Sequence, residues 1–327
     1  MYLKKSVLLL ALTAIMILSA CSNSSSGEGE AVSFPNENIT YVVPYGAGGG
    51  FDSVSRMISP FWEETLPGDV NIVVDNRPGG GGNTGLGTIY NAEPDGHTVG
   101  ILNLPGDVVN QLLDQASYDL NEFEYIGRMS DTYYIAATPI DSEFNSLEDV
   151  QNAEGILVGT APVSSTAGLG AVLASETLGF DATIVPHPDS SEALLSALQG
   201  NVDLVQFPYN IILDSVLNGD LKPLWVYADE RHPELPDVPT IAELGYPDLL
   251  ESVIGQMVLV TTPGVPEETL DVLRESFYEA HSNPDFQEQL LETGDPGTYA
   301  DHEESAELSR NALEQFEPLT DIIRSYQ

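Results

Sequence analysis

Ile39-Thr40-Tyr41-Val42-Val43-Pro44-Tyr45-Gly46-Ala47-Gly48-Gly49-Gly50-Phe51-Asp52 leads from an apolar, β-branched run through a glycine loop into a segment of helical period. Ile39 to Val43 reads as a buried strand that ends at Pro44, which has no N–H to give to a ladder. The glycines turn the backbone, and Asp52 is read as the cap of a helix running to about Thr65. Ala47, Gly48, Gly49 and Gly50 then offer peptide N–H groups at a helix N-terminus, where unpaired donors and the helix dipole favour an anion. Asp52 has a second reading, in which it orients the loop or reaches a ligand through water.

A loop of the same kind follows one strand later. Val70 to Val74 is the second strand, and Asp75-Asn76-Arg77-Pro78 leads into Gly79, Gly80, Gly81 and Gly82. Asn83 to Tyr90 looks helical, and Thr98 to Leu102 is a third strand. This βαβαβ rhythm implies a parallel sheet with right-handed crossovers, with both glycine loops at the carboxyl ends of strands, where open α/β sheets bind ligands. A dinucleotide fingerprint is excluded by spacing. Gly46-x-Gly48 requires a glycine where Phe51 stands, and Gly48-x-Gly50 requires one at Ser53. Glycines serving tight turns alone would explain one loop better than two adjacent ones. The preferred reading is a carboxylate pocket of main-chain amides, because only Arg56, Arg77 and Arg128 are at hand as cations, and Arg77 is expected to pair with Asp75.

Tyr125 to Thr138 is extended and apolar, and it reads as the crossing into a second lobe. There the rhythm restarts: a strand at Gly155 to Gly159, a helix at Thr166 to Leu178, a strand at Thr183 to Val185 and a helix at Ser190 to Gln199. Val202 to Phe207, Tyr209 to Leu217 and Leu224 to Tyr227 continue the alternation. Met257 to Thr261 reads as the strand returning to the first lobe, with helices at Pro266 to His281, Asp285 to Leu291 and His302 to Arg324. The fold class expected is α/β: a two-lobed clamshell of the type II periplasmic-binding-protein kind, with a ligand cleft between the lobes. Lobe one is expected over 34–138 plus 254–327, and lobe two over 139–253.

The amino end points to export. Lys4 and Lys5 precede a mostly apolar run from Ser6 to Leu18, the layout of a secretory leader over residues 1–20. Leu18-Ser19-Ala20-Cys21 resembles a bacterial lipobox, which would make Cys21 an acylated anchor followed by a flexible tether over 21–33. An ordinary cleaved leader with an incidental cysteine is the other reading. Cys21 is the sole cysteine, so the folded part has no thiol for a disulfide, metal or catalysis. No later stretch is long and apolar enough to span a bilayer.

Ten Lys and Arg stand against 51 Asp and Glu, a net charge of −41. Such a chain repels phosphate backbones, which excludes nucleic-acid binding. Its 42% hydrophobic content, in regular periodicity, argues against disorder. The acid reads as a solvated surface suited to a saline or alkaline exterior. His97, His187, His232, His281 and His302 are scattered without metal-like spacing, no G-x-S-x-G elbow occurs, and Ser164-Ser165 lack a base partner recognisable in sequence. No enzyme, metal or cofactor is expected.

The two loops, with A-E-P-D-G-H-T-V at Ala92 to Val99, G-N-V-D at Gly200 to Asp203 and R-H-P-E-L-P-D-V-P-T-I-A-E-L-G-Y-P at Arg231 to Pro247, resemble the substrate-binding proteins of tripartite tricarboxylate transporters from about Phe34 onward. The resemblance implies a clamshell that closes on a di- or tricarboxylate or related acid and delivers it to a permease with one large and one small membrane subunit. It places the carboxylate grip, through main-chain amides and water, on Tyr45, Ala47, Gly48, Gly49, Gly50 and Asp52, with Gly79 to Gly82 facing them. Lobe two departs from the family pattern. A Ser-x-Gly-x-Gly-Ser-like turn becomes Thr160-Ala161-Pro162-Val163-Ser164-Ser165-Thr166, with Gly168 in place of a histidine, and Val-Pro-Tyr-x-Gly becomes Val185-Pro186-His187-Pro188-Asp189. Hydroxyls of Thr160, Ser164, Ser165 and Thr166 read either as donors to the ligand's second end or as helix caps. Asp203 reads either as a cleft acceptor or as a strand end. The partners expected are the organic acid, the two permease subunits and, through the lipid anchor, the membrane, with the protein a monomer outside the cytoplasm. A receptor for another solute, or a sensor for a signalling partner, is the alternative.

Overall fold

The computed structural model describes residues 34–188, 190–294 and 296–325; the leader, Cys21 and the tether lie outside them. The first sheet forms as the alternating pattern requires. β1 (Ile39–Val43) lies between β2 (Ile72–Asn76) and β3 (Thr98–Leu104), parallel to both. The helices α1 (Gly50–Thr65) and α2 (Asn83–Tyr90) make the two crossovers. A short helix, α3 (Val108–Leu112), follows β3, and β4 (Glu124–Thr132) closes one edge of the sheet.

Both faces of this sheet are covered, which is why its strands read as nearly continuous apolar runs. Ile39, Tyr41 and Val43 alternate toward one core and Val42 toward the other. On α1, Val54, Ile58 and Trp62 recur at helical spacing and are buried. Trp62 donates from Nε1 to Ser276 Oγ at 2.9 Å and packs its ring edgewise on Tyr41 and Phe277. Each such large side chain contributes about 1.5–3 kcal/mol by leaving water.

The second sheet repeats the arrangement. β6 (Ile156–Thr160) lies between β7 (Ala182–Pro186) and β8 (Leu204–Pro208), parallel to both. β5 (Tyr134–Pro139) and β9 (Leu221–Tyr227) complete the order β7-β6-β8-β5-β9. Its helices are α4 (Leu147–Asn152), α5 (Thr166–Leu178), α6 (Ser190–Leu198), α7 (Tyr209–Leu217) and α8 (Leu250–Val253). The chain then returns as β10 (Gly255–Thr261), antiparallel to both β3 and β4, giving the first sheet the order β2-β1-β3-β10-β4. In each sheet a strand adjoining a crossing, β10 or β5, therefore runs antiparallel beside the third strand of the βαβαβ unit.

Four sequence expectations are corrected. The extended stretch from Tyr125 to Thr138 is two strands in two sheets, and the change of sheet falls at Tyr133, ahead of the boundary expected at 138. The second strand begins at Ile72 and not at Val70. α3, α4 and α8 were not anticipated, each being too short to show a helical period. The C-terminal helix breaks into α11 (His302–Phe316) and α12 (Thr320–Ser325) around a 3-10 turn containing Pro318, which has no amide to continue the ladder. Between β10 and α11, α9 (Glu267–His281) and α10 (Pro284–Glu292) pack on α1. Among the described residues no helix is long and apolar enough to cross a membrane.

Candidate functional site

The loop after β1 ends at Gly49, the N-cap of α1, whose backbone is extended and which has no side chain to cap the helix. Asp52 is therefore not the cap. It sits in the first turn and reaches back to accept from the Gly48 N–H at 2.8 Å, which is its loop-orienting role. It is buried and pairs with Arg56 at 2.9 Å. The Arg56 hydrogen bond, helped by the Gly48 amide, holds its carboxyl below the usual carboxylate range. Gly46 to Gly50 are exposed. The amino end of α1 is thus open to solvent, and the first-turn amides have no partner within the helix.

The second loop has an unusual backbone, with Gly79, Gly80, Gly81 and Gly82 all at positive φ. Gly82 is buried, and a Cβ there would lie 2.7 Å from Asp107 Oδ1 and 3.3 Å from the Tyr45 hydroxyl. Tyr45 joins the loops. Its hydroxyl donates to Asp107 Oδ1 at 2.8 Å, its carbonyl accepts from Asn76 Nδ2, and its ring packs on Phe51. The three arginines before the crossing are occupied: Arg56 with Asp52 and Asn76, Arg77 with Asp75, Arg128 with Asp131. What this corner offers an anion is main chain.

Sequence reading missed Asp107, which follows the third strand at the same sheet edge. It is 1% exposed, accepts from the Asn103 N–H at 2.6 Å and from Tyr45, and has no ion pair among the described residues. Burial pushes its carboxyl up to about 7, against the pull of those two donors. Tyr118 donates to the Asp107 carbonyl, and Asn110 holds the Gly81 carbonyl at 3.0 Å. The signal available was positional: Leu104-Pro105-Gly106-Asp107 ends a parallel strand, as the two glycine loops do.

A carboxyl whose native pKa lies above its unfolded value binds a proton more tightly when folded, so its contribution favours folding at low pH and is lost as pH rises to about 7. From pH 4 to pH 8 the protein is expected to lose stability relative to its Asp107→Asn variant, by on the order of a few kcal/mol. Urea melts of both across that range measure it, and parallel profiles would refute it.

Lobe two meets this corner at the amino end of α5. Thr166 donates to Asn103 Oδ1 at 3.0 Å across the lobes, and Gly106 lies against the same threonine. Ser165 is the helix cap, accepting from the Gly168 N–H and donating to the Pro162 carbonyl. Ser164 is half-buried in the turn. Thr160 is fully buried with its hydroxyl unpartnered, so it does not reach the open surface. Asp203 is not brought to this edge at all. It precedes β8, accepts from the Leu157 N–H, and lies at the end of the strand opposite Pro208. Asn210, at the start of α7, reaches from lobe two toward the first loop, its Nδ2 4.0 Å from where a Gly50 Cβ would stand.

Two open pockets lie elsewhere. One of about 590 Å³ is walled by Leu120, Arg274 and Arg310 on lobe one. The other, about 490 Å³, lies between Tyr133, Tyr209 and His232 on one side and Leu291 on the other. Neither is lined by the glycine loops.

Residues 61–325 match the model of the tripartite tricarboxylate transporter family receptor. This chain belongs to that family. A relative of the receptor, a UPF0065 protein in the tcbD-tcbE intergenic region of a Pseudomonas species, is 30% identical, with 93% of this chain and 91% of the relative aligned. Among solved structures, the periplasmic binding protein BugD superposes with a TM-score of 0.70 at 26% identity, covering 89% of the receptor and 98% of BugD. MatC from Rhodopseudomonas palustris, solved with bound malate, shares the fold with a TM-score of 0.69 at 24% identity over 88% of the receptor and all (100%) of MatC. The receptor is thus a solute-binding protein of the periplasmic type and not an enzyme, in keeping with its scattered histidines.

Proposed function

We propose that this receptor captures a small di- or tricarboxylate outside the cytoplasm and delivers it to a permease of one large and one small membrane subunit. The observation that carries the reading is the uncapped, exposed amino end of α1 beside the second glycine loop, with Arg56, Arg77 and Arg128, the arginines of residues 34–133, already engaged. Fixed N–H dipoles there hold a carboxylate without a salt bridge. The grip falls on the loop from Ala47 to Gly50, with Tyr45 and Asp52 behind it and Gly79 to Gly82 opposite. The Gly48 N–H is held by Asp52 and the Gly49 N–H is turned to the Gly46 carbonyl, so Ala47, Gly50 and the first turn of α1 supply the amides. Asn210, Ser164 and Thr166 supply the lobe-two side. In this reading the leader is removed at Cys21, which is acylated and tethers a monomer to the membrane, and the lobes are 34–133 plus 254–327 and 134–253.

A thermal-shift screen of the purified protein against malate, succinate, adipate, citrate and uncharged or cationic controls tests it. An acid at about a hundredfold over its dissociation constant adds about 2.7 kcal/mol of stability. Stabilisation by one carboxylate class is expected. Stabilisation only by an uncharged or cationic solute would keep the receptor role and overturn the carboxylate pocket.

A further inference from the structure

We propose that Asp107 is a proton-linked positioning residue of the carboxylate site: the receptor holds its anion with Asp107 neutral, so capture of the ligand takes up one proton. This rests on the carboxylate reading above and adds to it a charge balance.

The geometry places Asp107 beneath both glycine loops. Its Oδ1 receives the Tyr45 hydroxyl from the first loop and abuts Gly82 of the second, while its Oδ2 receives the Asn103 amide at the end of β3. Asn103 also takes the inter-lobe hydrogen bond from Thr166. One carboxyl therefore ties together Tyr45, Gly82 and the end of β3, and it is almost fully buried. The titratable groups facing it are the phenols of Tyr45 and Tyr118, both kept neutral by burial. Among the described residues no arginine, lysine or histidine pairs with it. Asp52, the other buried acid of this corner, differs in having Arg56.

A buried carboxylate without a counter-cation and a ligand carboxylate on the loops above it repel each other, and the strain is relieved by protonating one of them. The ligand's carboxylate is held by amides that stabilise its charge, so the proton goes to Asp107. The hydrogen bonds accommodate this. A proton arriving from solvent on Oδ1 is donated to the Tyr45 oxygen, because a phenol can accept as well as donate. Oδ2 keeps the Asn103 amide. The Tyr45 proton, no longer given to Asp107, is then available to the incoming carboxylate. Burial already brings Asp107 to about 7, so the switch works near neutral pH and above.

The test is isothermal titration calorimetry of the purified protein with malate, then succinate and citrate if malate gives no heat, from pH 6 to 9 in phosphate and in Tris. Buffers of different ionisation enthalpy report the protons taken up. Near pH 8 uptake should approach one proton per ligand, and affinity should fall about tenfold for each further pH unit. Asp107→Asn, which presents an NH2 to Tyr45 and an oxygen to the Asn103 amide, should bind with no uptake and a flat pH profile. Binding without uptake in the unmodified protein overturns the proposal, a result that needs no variant. Uptake that persists in Asp107→Asn overturns it too, by assigning the proton elsewhere. Absence of heat with all three acids across the range overturns the carboxylate reading itself, and this proposal with it.

Discussion

Gly49→Asp is expected to weaken carboxylate binding by at least about a hundredfold while leaving the melting temperature unchanged or slightly raised. Gly49 has φ −81° and ψ 172°, extended backbone open to any residue, and a Cβ there meets only the Gly46 carbonyl at 3.4 Å. Aspartate is a preferred N-cap, so the new side chain would accept from the first-turn amides now left open. That satisfies the helix and closes the pocket together. Two carboxylates about 4 Å apart repel by about 4 kcal/mol at an effective dielectric of about 20, more than a hundredfold in affinity. Gly49→Asn, similar in shape and neutral, should lose less. Calorimetry beside thermal melts separates the outcomes, and an aspartate variant that binds as the parent does would show that the anion sits elsewhere.

Gly82→Ala should instead damage the fold and the site together. Its φ of 95° is outside the ordinary range of an L-residue, at about 1–2 kcal/mol. Its methyl group would stand 2.7 Å from Asp107 Oδ1, and overpacking of this kind adds about 1–3 kcal/mol. Gly80→Ala provides the contrast. Its φ is 58°, but its Cβ meets only the Asn83 Cβ at 3.4 Å, so it carries the dihedral term alone. Urea melts of the two should differ by the crowding term; equal losses would mean that Asp107 yields freely and does not brace the loop.

Most of the fold was legible because its strands are buried on both faces and its helices begin at recognisable signals. Ile39 to Val43, the helix starts at Asn83 and Thr166, and the return strand ending at Thr261 all read directly from the residues. The change of sheet at Tyr133 did not, since no glycine or proline marks it and both flanking strands are apolar. Of the candidate site, the two glycine loops were visible as composition. Of the two readings of Asp203, the position at a strand end is the one the fold allows: it precedes β8, whereas ligands gather beyond the carboxyl ends. Asp107 was invisible for a different reason. Its role exists only where Tyr45, Gly82 and Asn103 converge, three positions far apart in the chain, and a single aspartate among 51 acidic residues carries no mark of that.

The uncapped start of α1 has a consequence for how such a receptor changes over time. A substitution alters a side chain but leaves the peptide N–H in place, so a grip made of main chain is insulated from most single replacements. On the proposed reading, what remains adjustable is the opposite wall, to which Ser164, Thr166 and Asn210 belong. On that reading a lineage can try new organic acids by varying that wall alone, with one carboxylate moored to the same backbone.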